Sequence, residues 1–181
     1  EAGGGWAQTG GCARGRGVLP GIRGSWGLRP APVPRQGDRS YVQRLFSQGE
    51  GVAMSLLDEC LDWNGQGFGD YLGRIRPALG VNVAAQVGHS ALRHQVMGAD
   101  SYAREASQAE IAAMAAELER SLAAGAIGFS TLQADFEKGP DDMPVPSQLA
   151  SHDELRELAA AVGRAGGGLV TVSPQPGAAD I

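Results

Sequence analysis

The residues of VGHSALRHQVMG, positions 87–98, bring together two imidazoles, a hydroxyl and a guanidinium: His89, His94, Ser90 and Arg93. Three chemistries are open to such a set. Ser90 lies in Gly88-His89-Ser90-Ala91-Leu92, which partly matches the G-x-S-x-G turn that presents a nucleophilic serine between a strand and a helix. Leu92 stands where that pattern has its second glycine, and its side chain would crowd the sharp turn. His89 and His94 have the side chain that suits zinc. Their spacing of five, however, does not align two rings on one helical face, and the chain holds no H-x-H or H-E-x-x-H pattern. The third chemistry is substrate binding. His89 would donate or accept at a strand end, and Arg93 would grip a carboxylate with its forked donors. Plainer uses stand beside these: His89 linking neighbouring loops, Arg93 in a salt bridge to a neighbouring loop acid, and His94 as a solvated helix residue.

The surrounding elements decide where these groups can point. Val81–Val87 is an apolar run with strand character, suited to cover on both faces. Ser107-Gln108-Ala109-Glu110 is a capping box that opens a helix with Ile111, Met114, Ala115, Leu118 and Leu122 on one stripe. Gly125 ends that helix, and Ala126–Thr131 reads as a second buried strand. Ser151–Glu154 is a second capping box; its helix carries Leu155, Leu158, Ala159 and Val162 and stops at Gly166-Gly167-Gly168. Leu169–Val172 is the third strand. Earlier, Phe68, Tyr71, Leu72 and Ile75 fall at helical spacing before Pro77.

Strand, helix, strand, helix, strand with short helix-to-strand links requires parallel strands and crossover helices, an α/β arrangement. In such sheets chemistry collects at the C-terminal strand ends, which here are Gly88–Ser90, Ser130–Thr131 and Ser173. The candidate substrate-binding residues are therefore His89, Arg93, Ser130 and Thr131. Asp135, Glu137, Asp141 and Asp142 sit in a proline-rich loop and read as a solvated turn, with a lid as the other use. His152 reads as a first-turn surface residue.

Residues 1–39 differ in texture. They hold 11 of the 28 glycines, four prolines and six arginines against only Glu1 and Asp38, so an irregular or mis-translated segment is expected there and a folded domain over 40–181. The net charge of −5 counts against a nucleic-acid partner. No stretch approaches the roughly 18 apolar residues of a membrane span, and the first residues lack a secretory pattern. Cys12 and Cys60 are too few and too distant for a disulfide framework or a structural zinc site, so a cytoplasmic setting is expected. A start at Glu1 and a stop at Ile181, just after a strand, suggest a partial sequence.

Taken together, VNVAAQVGHSALRHQVMG, GAIGFST, PVPSQLASHDELRELAAAVGRAGGGLV and the earlier Trp63, Phe68, Tyr71, Leu72 pattern resemble the N-acyl-D-amino-acid deacylases over about residues 40–175. These are metal-dependent amidohydrolases on a (β/α)8 TIM barrel. The resemblance implies a partial barrel here, since three or four strands cannot close one and a full barrel takes about 250 residues. It implies hydrolysis of the amide between an acyl group and a D-amino acid, with zinc polarising the carbonyl and activating water while an Asp carries the proton. The implied partner is a small N-acyl amino acid, with neither nucleic acid nor membrane. The family's H-x-H lies on an earlier strand, and its later His ligands and catalytic Asp would fall beyond Ile181, so no catalytic or metal residue is assigned within the chain. Gly24-Ser25-Trp26-Gly27 before Ala31-Pro32 resembles the family's Gly-Asn-Cys-Gly turn, which puts Trp26 at a metal-binding Cys position; an indole cannot coordinate as a thiolate does. Gly128–Thr131 matches the family's Gly-Phe-Ser-Thr. Leu132-Gln133-Ala134-Asp135 departs from its Gly-Leu-x-Tyr continuation, leaving the family's substrate-facing Tyr without a counterpart. The segment alone is expected to be inactive. The competing readings are a serine hydrolase using Ser90 and a non-catalytic paralogue or interaction module.

Overall fold

The computed structural model describes residues 43–45, 47–48, 51, 53–56, 68–75, 84–135 and 137–174. The whole of 1–39 with Trp26 and Cys12, then Cys60, Trp63 and the Val81–Val83 half of the first expected strand lie outside these residues.

Seven elements carry the fold. Helix α1 is Phe68–Ile75, strand β1 Val87–Gly88, helix α2 His89–Met97 and helix α3 Gln108–Ala123. Strand β2 is Gly128–Leu132, helix α4 His152–Arg164 and strand β3 Leu169–Ser173. The three strands form one sheet in the order β1-β2-β3, and both pairings are parallel, as the alternation of strands and helices requires. Val87, Phe129 and Val170 share one rung, and Gly88, Ser130 and Thr171 the next. β1 is shorter than expected from the sequence. Residues 84–86 lead into it without strand pairing, although the Ile127 N–H donates to the Ala85 carbonyl at 2.9 Å. α2 then begins directly at His89, with Gly88 extended as its N-cap. His89 therefore stands in the first turn of a helix, not in a loop.

Side chains alternate across a strand, and here the two faces have different neighbours. Val87 and Phe129 face a core built from Leu92 of α2, Ile111, Met114, Ala115 and Leu118 of α3, and Leu158, Ala161 and Val162 of α4. α3 and α4 pack on one another, so both crossovers lie on this side of the sheet. By the same alternation Ser130 and Thr171 lie on the other face. There the half-buried Gln86 amide reaches across β2 and meets the Thr171 hydroxyl at 3.0 Å.

The two capping boxes diverge. Around Ser107 both reciprocal bonds form: the hydroxyl accepts from the Glu110 N–H at 3.4 Å, and the Glu110 carboxylate accepts from the Ser107 N–H at 2.8 Å. At Ser151 only the first half forms, the hydroxyl accepting from the Glu154 N–H at 3.2 Å. The buried stripe of α4 runs through Glu154, Leu158, Ala161 and Val162: Leu158 and Val162 are buried as expected and Leu155 is half-buried, but Ala159 is exposed, and the first member of the stripe is an acid. Gly128 permits close strand approach: a Cβ there would lie 1.9 Å from the Leu169 carbonyl oxygen. β3 is apolar yet open to solvent, with Leu169 53 % and Val172 51 % exposed.

Candidate functional site

Three of the four candidate residues meet in one buried cluster, on the helix side of the sheet at the C-terminal strand ends. The His89 ring lies in the first turn of α2 and stands edge-on to Phe129, with ring centres 5.1 Å apart. Its Nδ1 is 2.7 Å from the Thr131 hydroxyl, and its Nε2 is 2.7 Å from Glu154 Oε1. Arg93, one turn further along α2, donates from Nη1 to Glu154 Oε2. Its Nη2 donates to the Arg104 carbonyl at 2.8 Å and its Nε to the Ser101 carbonyl at 3.4 Å. His89, Arg93 and Glu154 are all at 0 % exposure.

Burial is the largest influence on His89 and pushes its imidazole below the ordinary value; the Arg93 charge acts the same way, against the hydrogen bond and charge of Glu154. Burial alone would raise the Glu154 carboxyl, but the hydrogen bonds and charges of His89 and Arg93 outweigh it and hold the group below its ordinary value. The partial positive charge at the start of α4 adds to that preference. An ionised carboxylate only accepts hydrogen bonds, so His89 carries its proton on Nε2. Its bare Nδ1 then accepts from the Thr131 hydroxyl. Thr131 Oγ1 in turn accepts from Gln133 Nε2 at 2.8 Å. The Thr131 proton is thus directed into the protein, and Arg93 grips a carboxylate that belongs to the chain itself.

Ser130, the fourth candidate, is also buried, and the alternation of β2 places it on the opposite face, in register with Thr171. Ser90 is buried, donates to Ser147 Oγ at 3.0 Å and accepts from the Ser147 N–H at 3.2 Å. With both His89 nitrogens engaged by Thr131 and Glu154, that ring is not aimed at the Ser90 hydroxyl. His94 is a correction: it is buried, its Nδ1 3.2 Å from Ser101 Oγ and its ring stacked on Tyr102. His152, Asp141 and Asp142 are exposed as expected. Glu154 is the member that sequence reasoning missed. Its signal was positional, because it lies four, seven and eight residues before Leu158, Ala161 and Val162 on one helical stripe.

Among the described residues no three His, Cys, Asp or Glu side chains gather where they could hold a metal ion. None of the described helices is long and apolar enough to cross a membrane.

No protein-family model matches the chain. A D-aminoacylase of Alcaligenes xylosoxydans xylosoxydans is 46 % identical over 80 residues, which cover 43 % of this chain and 16 % of that protein. An uncharacterised protein of Mycobacterium tuberculosis is 37 % identical over 87 residues, 44 % of this chain and 14 % of that protein. Among solved structures, a D-aminoacylase with a binuclear metal centre superposes with a TM-score of 0.53 at 34 % identity, covering 80 % of this chain and 26 % of that one. The N-acyl-D-glutamate deacylase of Bordetella bronchiseptica, complexed with zinc and a phosphonate mimic of the tetrahedral intermediate, superposes with a TM-score of 0.55 at 27 % identity, covering 82 % and 26 %. The chain thus spans 16 % or less of the curated relatives' length and about a quarter of the solved ones.

Proposed function

Because the chain belongs to the D-aminoacylase family of amidohydrolases, we propose that it is a segment of a metal-dependent enzyme hydrolysing the amide bond of N-acyl-D-amino acids. The observation that carries this reading is the 34 % identity maintained while 80 % of the chain superposes on a D-aminoacylase. Architecture supports it too. Three parallel strands in sequential order, with both crossovers on one face, are what part of a (β/α)8 barrel would present. The open edge and exposed apolar side chains of β3 suit a strand that a further strand and helix would cover. On this reading residues 40–181 belong to the partial barrel domain, 1–39 lie outside it, and the setting is cytoplasmic.

The residues take different parts. The face opposite the helices becomes the barrel interior, where Ser130 and the Gln86–Thr171 pair line the approach to the substrate. His89, Arg93 and Thr131 support that wall from behind, with Glu154 as their common anchor. Their contact with substrate would run through the strand ends they hold and not through their own polar atoms, which are engaged. The described residues do not fit a metal centre, since His89 and Glu154 are committed to each other and to Arg93. The reading places the metal ligands elsewhere, zinc being the metal bound by one relative. The Ser147 contacts of Ser90 and the tautomer of His89 give no support to a serine nucleophile.

A chimera tests the proposal. Residues 84–173 replace the matching block of the Alcaligenes D-aminoacylase, and zinc-loaded protein is assayed with paired N-acetyl-D- and N-acetyl-L-amino acids. Hydrolysis of the D form alone is expected, while the 181-residue chain releases no amino acid. A folded, metal-loaded chimera that hydrolyses neither form overturns the reading.

A further inference from the structure

We propose that His89, Arg93 and Glu154 form an acid-sensitive latch: at neutral pH they pin the first turn of α4 to the ends of β1 and β2, and proton uptake by His89 releases it. The geometry sets one carboxylate against two basic groups. With Glu154 ionised and Arg93 charged, the cluster is neutral only while His89 is neutral. A protonated His89 leaves one net positive charge at a site with no solvent exposure.

The described residues around the ring provide no second acid. α2 contributes Arg93; β2 contributes the Thr131 hydroxyl and the edge of Phe129; α4 contributes Glu154. Arg104 reaches the cluster only through its backbone carbonyl, and its guanidinium is turned outward to Asp100 and Glu110. His94, also on α2, faces Ser101 and Tyr102. Protonation at Nδ1 also turns an acceptor into a donor, so the Thr131 hydroxyl must reverse. Glu154 is the polar attachment at the start of α4, whose remaining hold on the core comes from Leu158, Ala161 and Val162.

The sign follows from linkage. His89 is held neutral in the closed form, whereas a released imidazole titrates near its ordinary value of about 6.5. Opening therefore takes up a proton below about pH 6.5, and its equilibrium constant rises about tenfold per pH unit. Below about pH 4.3 a released Glu154 takes up a second proton, and the rise steepens to about a hundredfold per unit.

Residue-resolved hydrogen exchange on the 181-residue chain, corrected for intrinsic exchange, reads the opening constants between about pH 7.5 and 5. The amides of Leu155 and Leu158 in α4 are expected to open about tenfold more readily at pH 5 than at pH 6. The Ile111 amide of α3, bonded to the Ser107 carbonyl, serves as the unlatched control and rises less than the two α4 amides. His89→Gln keeps an amide donor toward Glu154 but cannot titrate, and its α4 opening should be flat with pH. An α4 opening that is level in the native chain, or that rises equally in His89→Gln, overturns the proposal. Should that variant not fold, the His89 ring nitrogens in the native chain decide: the ring must gain its proton together with α4 opening, and protonation with α4 still closed overturns the latch.

Discussion

Replacing Glu154 by Ala should be among the most damaging single changes in the described fold. The substitution removes the carboxylate that faces both Arg93 and His89 at 0 % exposure. Arg93 keeps its two backbone carbonyls but loses its counter-charge, and the His89 Nε2–H loses its acceptor. Breaking a buried ion pair from one side costs about 3–5 kcal/mol, because the remaining charge stays desolvated. The orphaned imidazole donor falls within that range and is not added to it. Glu110→Ala is the matched control, with the same place in its capping box and an arginine partner. Arg104 and Glu110 are 45 % and 22 % exposed, however, so their pair and the cap together should be worth only about 1 kcal/mol. Equilibrium urea unfolding followed by far-ultraviolet circular dichroism separates the two. With a slope of about 2 kcal/mol per molar, Glu154→Ala should lower the midpoint by about 1.5–2.5 M and Glu110→Ala by about 0.5 M. The double variant Arg93→Met with Glu154→Leu removes both charges and should recover much of the loss. A Glu154→Ala midpoint within about 0.5 M of wild type, or a double variant weaker than the single one, refutes the reasoning.

Other outcomes follow from the same contacts. Gly128→Ala puts a Cβ 1.9 Å from the Leu169 carbonyl oxygen, so the β2–β3 register must shift, visible as lost exchange protection over Leu169–Ser173. Leu158→Ala empties a fully buried site between α4 and the sheet and should cost about 2–5 kcal/mol in the same urea assay. Val172→Lys places a charge on the open strand β3 and should reduce self-association of the chain in light scattering, with little change in helical circular dichroism. Stability should fall with acid from about pH 6.5 downward, because folded His89 resists the proton that the unfolded chain accepts; His89→Gln should remove that slope in pH-dependent thermal melts.

Much of the architecture was legible because its signals are local. Short links between helical and strand patterns require parallel pairing, and Ser107 with Glu110 marks a helix start that the structure reproduces bond for bond. The site was legible as a set of neighbours but not as a set of partners. His89, Arg93 and Thr131 do converge, yet their strand-end position does not say which face of the sheet they meet on. That depends on the rung Val87–Phe129–Val170 packing under α3 and α4, a long-range fact. Glu154 was hidden by a motif that normally keeps its acid at the surface. The same carboxylate can reach back to the N-cap or inward to buried bases, and only the tertiary placement of His89 and Arg93 selects the second. His94 was misjudged for a related reason: the turn through Ser101 and Tyr102 folds back over α2 and covers it.

The proposed division of the sheet into a substrate-facing side and a supporting side is tested most directly by comparing Ser130→Ala with Thr131→Val in the chimera. Ser130→Ala should change KM or kcat for the N-acetyl-D-amino acid by about tenfold, the scale of one hydrogen bond. Thr131→Val should lower the unfolding midpoint by the equivalent of about 1 kcal/mol and leave kcat/KM of the folded enzyme within about twofold. Thr131→Val abolishing turnover at an unchanged midpoint, with Ser130→Ala silent, would contradict the account.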